Sequence, residues 1–212
     1  ISKFLLTGIK LDKFKGLFKK THIIEAEDFN SVIVAELQEI ETVRKIRPVY
    51  NKISTFKKYP VGIYENKNYG EKAFYVERNP NGKALWRFIN ERRAQNFLKK
   101  FIKENRLNPP QFPAKEETIN TYRDKVEEAL VKELYPMRNF FVIREVSFAN
   151  TIYAIYVEDF VYQGYASFDK DIYDGRIETL KDSVQYCENN PFSQKALLRY
   201  LRKKKSVKIL PC

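Results

Sequence analysis

Histidine and cysteine are scarce in this chain, which has one histidine, His22, and two cysteines, Cys187 and Cys212, among 212 residues. A structural zinc site of the usual kind needs four nitrogen or sulfur ligands, so we exclude one. Two cysteines cannot build a disulfide framework, which favours a reducing cytoplasm. A single histidine leaves little room for a nucleophilic triad, and no glycine-rich phosphate loop occurs. No apolar run is long enough to cross a bilayer and no signal peptide is visible, so we expect no membrane partner.

Positive charge is in excess. The chain contains 39 Lys and Arg against 27 Asp and Glu, which gives a net charge of +12. Such an excess favours a polyanionic partner, and DNA is the first expectation. A chain that binds an acidic protein, or one whose basic surface serves only solubility, would have the same composition. Hydrophobic residues make up 43% of the chain, which is enough to form the core of one large domain or two small ones.

Periodic patterns predict a mixed α+β fold. Ser31 is expected to cap a helix with Ile33, Leu37 and Ile40 on its apolar face, and Pro48 should end that helix by holding the preceding residue in extended geometry. The later patterns predict strands at 59–64, 72–77 and 84–88, helices at 90–105 and 116–133 on either side of a Pro-rich linker at 108–113, an antiparallel meander at 140–144, 152–158 and 161–168, helices at 177–187 and 193–205, and a last strand at 207–210.

The run from Glu36 to Asn51 joins a carboxylate-bearing helix to a Pro48-Val49-Tyr50-Asn51 exit. It resembles the end of the catalytic domain in GIY-YIG endonucleases of the UvrC and Cho type, in which a helix supplies a metal-binding Glu ahead of a Pro-x-Tyr-Asn exit. Glu39 stands at the position of that Glu. The resemblance implies a Mg²⁺ or Mn²⁺ ligand at Glu39 and a residue near the active site at Asn51, provided that the catalytic domain is complete. A hard divalent cation that keeps several waters suits a lone carboxylate.

The rest of the chain resembles bacterial proteins that fuse a proofreading-type exonuclease to a Cho-like GIY-YIG domain and a long C-terminal region. The order of short motifs carries this resemblance: Tyr59-Pro60-Val61-Gly62-Ile63-Tyr64, Arg87-Phe88 with Ala94, Phe97 and Leu98, Tyr122 with Val126, Glu127 and Ala129, Tyr162-Gln163-Gly164-Tyr165, and Tyr200–Lys203. Nothing before Glu39 supplies the family's Gly-Ile-Tyr and Tyr-Ile-Gly strands or its catalytic Arg, and the family's cysteine-containing insert is missing. Because the chain begins at Ile1, we expect a piece of a longer protein.

These patterns predict three parts. Residues 1–58 would be the remnant or C-terminal part of a GIY-YIG-like domain, residues 59–112 a small αβ lobe, and residues 113–212 a C-terminal α+β lobe. The expected function is DNA binding or docking in a UvrC- or Cho-like repair nuclease, without catalysis by this chain. The partner would be DNA, an acidic protein or the upstream exonuclease domain.

In the competing hypothesis for the helix around Glu39, the carboxylates Glu36, Glu39 and Glu41 form a solvated helix face that pairs with Arg44 and Lys45.

A second hypothesis is an active nuclease. Gly62-Ile63-Tyr64 and Tyr75-Val76-Glu77 imitate the two strand motifs at similar spacing, and Arg87 would then be the catalytic Arg and Glu127 the metal ligand. Glu77 stands where the second motif needs glycine, and the helix around Glu39 would go unexplained.

Two basic helix faces are the candidate nucleic-acid contacts. They comprise Arg92, Arg93, Lys99 and Lys100 in one helix, and Lys195, Arg199, Arg202, Lys203, Lys204 and Lys205 in another. Such faces can bind phosphates without reading bases, or can simply be solvated. Strand tyrosines at 153, 156, 162 and 165 could stack on single-stranded bases, but we favour a place in the core or in cross-strand pairs.

Overall fold

Two antiparallel sheets organise the fold. This computed structural model describes residues 20–49, 58–67, 72–78, 83–110, 115–146, 150–203 and 208–212. In those ranges the helices are α1 (Val32–Ile46), α2 (Glu91–Glu104), α3 (Glu116–Glu133), α4 (Ile177–Asp182) and α5 (Pro191–Lys203). The strands are β1 (Val61–Glu65), β2 (Phe74–Arg78), β3 (Trp86–Phe88), β4 (Phe140–Val146), β5 (Thr151–Glu158), β6 (Val161–Asp169), β7 (Gln185–Tyr186) and β8 (Lys208–Pro211). The protein is thus an α+β protein, as predicted, and none of these helices is long and apolar enough to cross a membrane.

The smaller sheet has the strand order β2-β1-β3. Gly62 is the register partner of both Glu77 and Arg87, so these side chains share one sheet face with Tyr64. The opposite face presents Phe74 and Trp86 to Phe101 of α2. The amphipathic pattern of α2 therefore covers this sheet, as the predicted αβ unit requires. The sequence also predicts turns around Gly70 and at 79–82, between these strands, and both lie outside the described residues.

The larger sheet has the strand order β7-β6-β5-β4-β8. Its centre is the predicted meander β4-β5-β6, in which Val142 pairs with Ile155 and Ala154 with Ala166. Both faces of this sheet are covered, and both carry apolar side chains. One face packs into the main core, and the other packs against Leu180 of α4 in a second cluster. Pro211 can end β8 because β8 is an edge strand, where a missing amide donor costs little.

Helix α1 differs from its prediction at both ends. Ser31 is the N-cap residue, but its side chain makes no capping hydrogen bond, so the predicted hydroxyl cap is wrong. At the other end, Arg47 is not extended. It lies in the left-handed region at φ 50° and ψ 58°, and its N–H donates to the Val43 carbonyl at 2.9 Å. A left-handed residue after the last helical turn is a common way to satisfy the final carbonyls. Pro48 can follow this ending.

The helix predicted at 177–187 is shorter. Helix α4 ends at Asp182, and Gln185 and Tyr186 instead form β7 on the edge of β6. Asp182 and Ser183 are weak helix formers, whereas the open edge of β6 offers unpaired backbone groups.

The main core crosses the predicted borders between the three parts of the chain. One cluster contains Ile33 of α1, Ile63 of β1, Leu98 of α2, Leu130 of α3 and Leu197 of α5. Helices α1 and α5 pack against each other, although more than 140 residues separate them. The division into three parts stays a prediction. In the structure, apolar side chains from all three predicted parts pack together in one core.

The turn between β5 and β6 lies at Asp159 and Phe160, between the two strands predicted at 152–158 and 161–168. Asp159 and Phe160 both have positive φ, 51° and 59°. Two such residues suit the twist of a tight hairpin, but an aromatic residue in this conformation is strained. Phe160 is held there because it is fully buried, its N–H donates to the Arg138 carbonyl at 3.0 Å, and the Arg138 guanidinium lies 4.9 Å from its ring centroid.

Candidate nucleic-acid interface

The outward face of α2 is the strongest candidate interface. Ala94, Leu98 and Phe101 are buried against the small sheet. At 100° per residue, the opposite side of the helix carries Arg92 and Lys99. Five exposed cations lie on the solvent side of the helix: Arg92, Arg93, Lys99, Lys100 and Lys103. The predicted basic face on this helix is therefore present as one continuous surface.

Acidic residues neutralise little of this face. Glu104 lies 3.7 Å from the Lys100 ammonium, and both side chains are more than 60% exposed. Glu91 pairs at 3.0 Å with Arg78, which lies on β2. Exposed pairs of this kind contribute only about 0–1 kcal/mol and exchange readily with other anions. Arg92 and Lys99 form no ion pair with any described residue, so they are available to phosphates.

The start of α2 is fixed by its own cap. The Asn90 side-chain carbonyl accepts a hydrogen bond from the Arg93 N–H at 3.0 Å. Such a cap stabilises a helix by about 1 kcal/mol. The cations therefore stand on a rigid element rather than on a loop.

The second basic cluster, on α5, is partly neutralised. Lys195, Arg199, Arg202 and Lys203 are exposed, but Arg199 pairs with Glu36 of α1. Lys204 and Lys205 lie outside the described residues. Because α1 packs beside α5, its carboxylates meet this basic row, and α5 carries less free positive charge than its sequence suggests.

Glu39 lies in a groove of about 290 Å³ between α1 and α5, together with Glu36, Lys195 and Arg199. Glu39 is exposed and pairs with no described residue. Two cationic side chains beside it oppose a divalent cation by Coulomb repulsion. Within the described ranges, no group of three or more His, Cys, Asp or Glu side chains could hold a metal ion. These surroundings do not fit the Mg²⁺ or Mn²⁺ site that the resemblance implies for Glu39, and Asn51 and Tyr50 lie outside the described residues.

The competing hypothesis, in which the α1 carboxylates pair with Arg44 and Lys45 of the same helix, is right for Glu41 and wrong for Glu36 and Arg44. Glu41 pairs with Lys45 at 3.3 Å, as expected for positions four apart. Glu36 instead reaches Arg199, and Arg44 reaches Glu188 at 2.5 Å. The acidic helix is thus a docked element rather than a solvated one.

The residues of the second nuclease hypothesis do not converge. Tyr64 and Arg87 share one face of the small sheet. Glu127 instead forms an ion pair with Arg138, which also holds Glu65 at 2.7 Å. Glu65 follows Tyr64 directly in β1, so its side chain points to the other face. The proposed metal ligand is therefore neutralised by an arginine and lies on the far side of the sheet from its supposed partners.

Sequence reasoning missed a cluster on the Tyr64 face. Glu188 accepts from Arg44 at 2.5 Å and from Arg87 at 2.6 Å. Burial raises the pKa of the Tyr64 phenol, and the positive charge of Arg87 partly opposes this rise. The Tyr64 hydroxyl is buried with no hydrogen-bond partner among the described residues. Because 144 residues separate Arg44 from Glu188, no local pattern could have brought them together.

The four strand tyrosines are core residues. Tyr153, Tyr156, Tyr162 and Tyr165 are all at least nine-tenths buried. Burial raises the pKa of Tyr165 to about 12, so its phenol stays neutral. The preferred hypothesis, core over base stacking, is confirmed.

No protein-family model, curated protein or solved structure matches this chain.

Proposed function

We propose that this chain is a DNA-binding module, without catalytic activity of its own, from the lineage of UvrC- and Cho-like repair nucleases. One observation carries the binding part: the outward face of α2 presents five exposed cations on a rigid, capped helix. The lineage rests on the order of the short motifs along the sequence. The absence of catalysis rests on the lone Glu39 and on the separation of Tyr64 and Arg87 from Glu127.

Binding through α2 would be dominated by phosphate contacts. Arg and Lys on a helix surface contact backbone oxygens and release condensed counterions, so affinity falls steeply with salt. The strand tyrosines are buried, which leaves them no part in base stacking. The module would accordingly show weak sequence preference and hold DNA in place for another domain. A cytoplasmic location fits this role and stays a prediction.

Fluorescence anisotropy with single-stranded and duplex DNA across a salt series tests the proposal. The test variant replaces Arg92, Lys99 and Lys103 by Gln, and a matched control replaces three exposed lysines of α3 and its N-cap, Lys115, Lys125 and Lys132. Both variants lose three positive charges. We expect the α2 variant to lose about three units of the log–log salt slope on duplex DNA, and the control to lose much less.

Equal losses in the two variants would mean that net charge, not the α2 face, attracts DNA. Undetectable binding of the wild-type chain at low salt would overturn the proposal. An acidic polypeptide that binds tightly while DNA does not compete would favour a protein-docking module instead. A Mg²⁺ and Mn²⁺ nicking assay on the same samples should show no cleavage.

A further inference from the structure

Helix α1 carries two strongly exposed apolar residues on one line. Val32 and Ile46 are 86% and 68% exposed, and Glu39, halfway between them, is also exposed. Residues seven apart on an α-helix differ by only about 20° in direction, so these three side chains point the same way. Apolar residues that are scattered singly on a surface need no explanation, but a heptad spacing is typical of the seam through which helices associate.

This line borders the groove between α1 and α5. The floor of the groove is apolar and includes Val43. Its two sides carry opposite charges, because α1 contributes Glu36 and Glu39 whereas α5 contributes Lys195 and Arg199. Glu36 pairs with Arg199. Glu39 and Lys195 are both exposed, and neither forms an ion pair with any residue that the structure describes. One acid and one base thus remain open on opposite sides of an apolar groove.

Helices α1 and α5 run antiparallel. Glu36, near the start of α1, pairs with Arg199, near the end of α5. Arg44, near the end of α1, pairs with Glu188, which precedes α5. A two-fold axis that runs along the groove, parallel to both helices, would therefore lay α1 of a second copy over α5 of the first. The two helices would be antiparallel, and every residue would keep its height along the axis.

The same symmetry brings the open charges together. Glu39 follows Glu36 by about one helical turn, and Lys195 precedes Arg199 by about one turn, so Glu39 and Lys195 lie at nearly the same height. Across the two-fold axis, Glu39 of each copy would face Lys195 of the other. The surface is thus complementary to itself, which a symmetric dimer requires.

Net charge also favours this face for contact between two copies. Two chains of charge +12 repel each other over most of their surfaces. In the α1–α5 groove, the carboxylates Glu36 and Glu39 balance the cations Lys195 and Arg199, so repulsion between copies is weakest there. A polyanion such as DNA would instead meet two carboxylates on this face.

We propose that the α1–α5 face is the interface of a symmetric homodimer, in which α1 of each copy lies on α5 of the other and Glu39 pairs with the partner's Lys195. The 15 residues of α1 and the 13 of α5 give helices about 22 and 20 Å long. A face of this size belongs among small interfaces, so the dimer is weak and depends on concentration. This inference does not depend on DNA binding by α2.

Sedimentation equilibrium from low to high micromolar concentration tests the dimer. Wild type should shift from monomer to dimer as its concentration rises. Glu39→Lys and Lys195→Glu each place like charges at both contacts, so both variants should stay monomeric. The matched controls are Glu128→Lys and Lys132→Glu, which change the net charge equally at exposed positions of α3. Both controls should dimerise like wild type.

A mixture of the two interface variants is the sharpest test. The lysine introduced by Glu39→Lys would face the glutamate introduced by Lys195→Glu, and the other contact would keep its wild-type pair. Two proteins that are each monomeric should therefore form a one-to-one dimer when mixed, and a chain that carries both substitutions should dimerise alone. A mixture that stays monomeric, or a wild-type dimer that neither substitution weakens, would overturn the proposal. A wild-type chain that stays monomeric at every concentration would also overturn it and leave the face to another partner.

A double substitution, Val32→Gln with Ile46→Gln, tests the apolar part of the interface. Both side chains are mostly exposed in the single copy, so a circular dichroism melt at low concentration should match wild type. Burial of both residues in the dimer predicts that the dimer dissociation constant rises by about ten-fold or more. An unchanged dissociation constant in this folded variant would contradict the place of α1 in the interface.

Discussion

Gly164 should be among the positions least tolerant of a single added methyl group. Its φ is +142°, and a Cβ atom built there would lie 2.0 Å from the Gln185 carbonyl oxygen and 2.9 Å from the carbonyl carbon. It pairs with Tyr186 beside a register shift in β6, where β7 joins the sheet. Because the obstacle is backbone, no side-chain rotation can relieve the contact. Gly164→Ala must push β7 away from β6.

The expected cost has two parts, and Gly175 separates them. Gly175 also has positive φ, +81°, but a Cβ there would meet nothing within 4 Å. Gly175→Ala should therefore show backbone strain alone, about 1–2 kcal/mol. Gly164→Ala adds a steric term of about 1–3 kcal/mol, so we expect a total of about 2–5 kcal/mol. The measurement is urea unfolding followed by circular dichroism, with ΔG extrapolated to water.

The comparison would refute the reasoning if the two variants lost equal free energy of unfolding. A large drop in the m-value of Gly164→Ala alone would point to a change in the compactness of its unfolded or folded state, rather than to a clash.

Three further predictions concern buried and paired polar groups. Tyr135→Phe should leave the free energy of unfolding unchanged or raise it by about 1 kcal/mol, because the fully buried Tyr135 hydroxyl has no partner among the described residues; a loss above about 1 kcal/mol in a urea melt would reveal a hidden partner. Arg138→Met should lower the free energy of unfolding by about 2–4 kcal/mol, because it removes the arginine that pairs with Glu65, whose side chain is 5% exposed, and with Glu127, and a thermal melt that matches wild type would contradict this. The pKa of the Glu158 carboxyl is lowered, first by a hydrogen bond from Lys83. The contribution of Glu158 to the free energy of unfolding is therefore complete above its pKa in the unfolded chain, and it is lost as the pH falls through its lower pKa in the folded protein. Glu158→Gln should therefore flatten the acid side of the stability–pH profile, and an unchanged acid slope would count against that assignment.

The sequence predicted local structure well and distant contacts poorly. The 3.6-residue period of α2 and the meander around Asp159 are encoded within short windows, and both are present. The end of α1 was misjudged because the preference of a residue before proline competes with the left-handed ending that Arg47 adopts. Here the need to satisfy a terminal helix carbonyl prevailed.

The candidate sites divide in the same way. The basic face of α2 follows from its own period, so its exposure could be predicted. The partial neutralisation of α5 could not, because it depends on α1 packing beside it. The Arg44–Glu188–Arg87 cluster requires three segments that only the tertiary fold brings together. Side-chain chemistry alone gave no reason to single out Glu188 among the 27 acidic residues.

The strained turn at Asp159 and Phe160 sets an unusual pattern of mutational tolerance. Its backbone would favour glycine at both positions, whereas the buried ring contact with Arg138 demands an aromatic residue at the second. The two positions should therefore diverge in a saturation library. Asp159 should accept Asn and Gly, while Phe160 should accept little beyond Tyr and Trp, even though glycine would relax its backbone. Local preference and long-range packing disagree at this residue, and a propensity-based redesign of the hairpin would choose the wrong amino acid there.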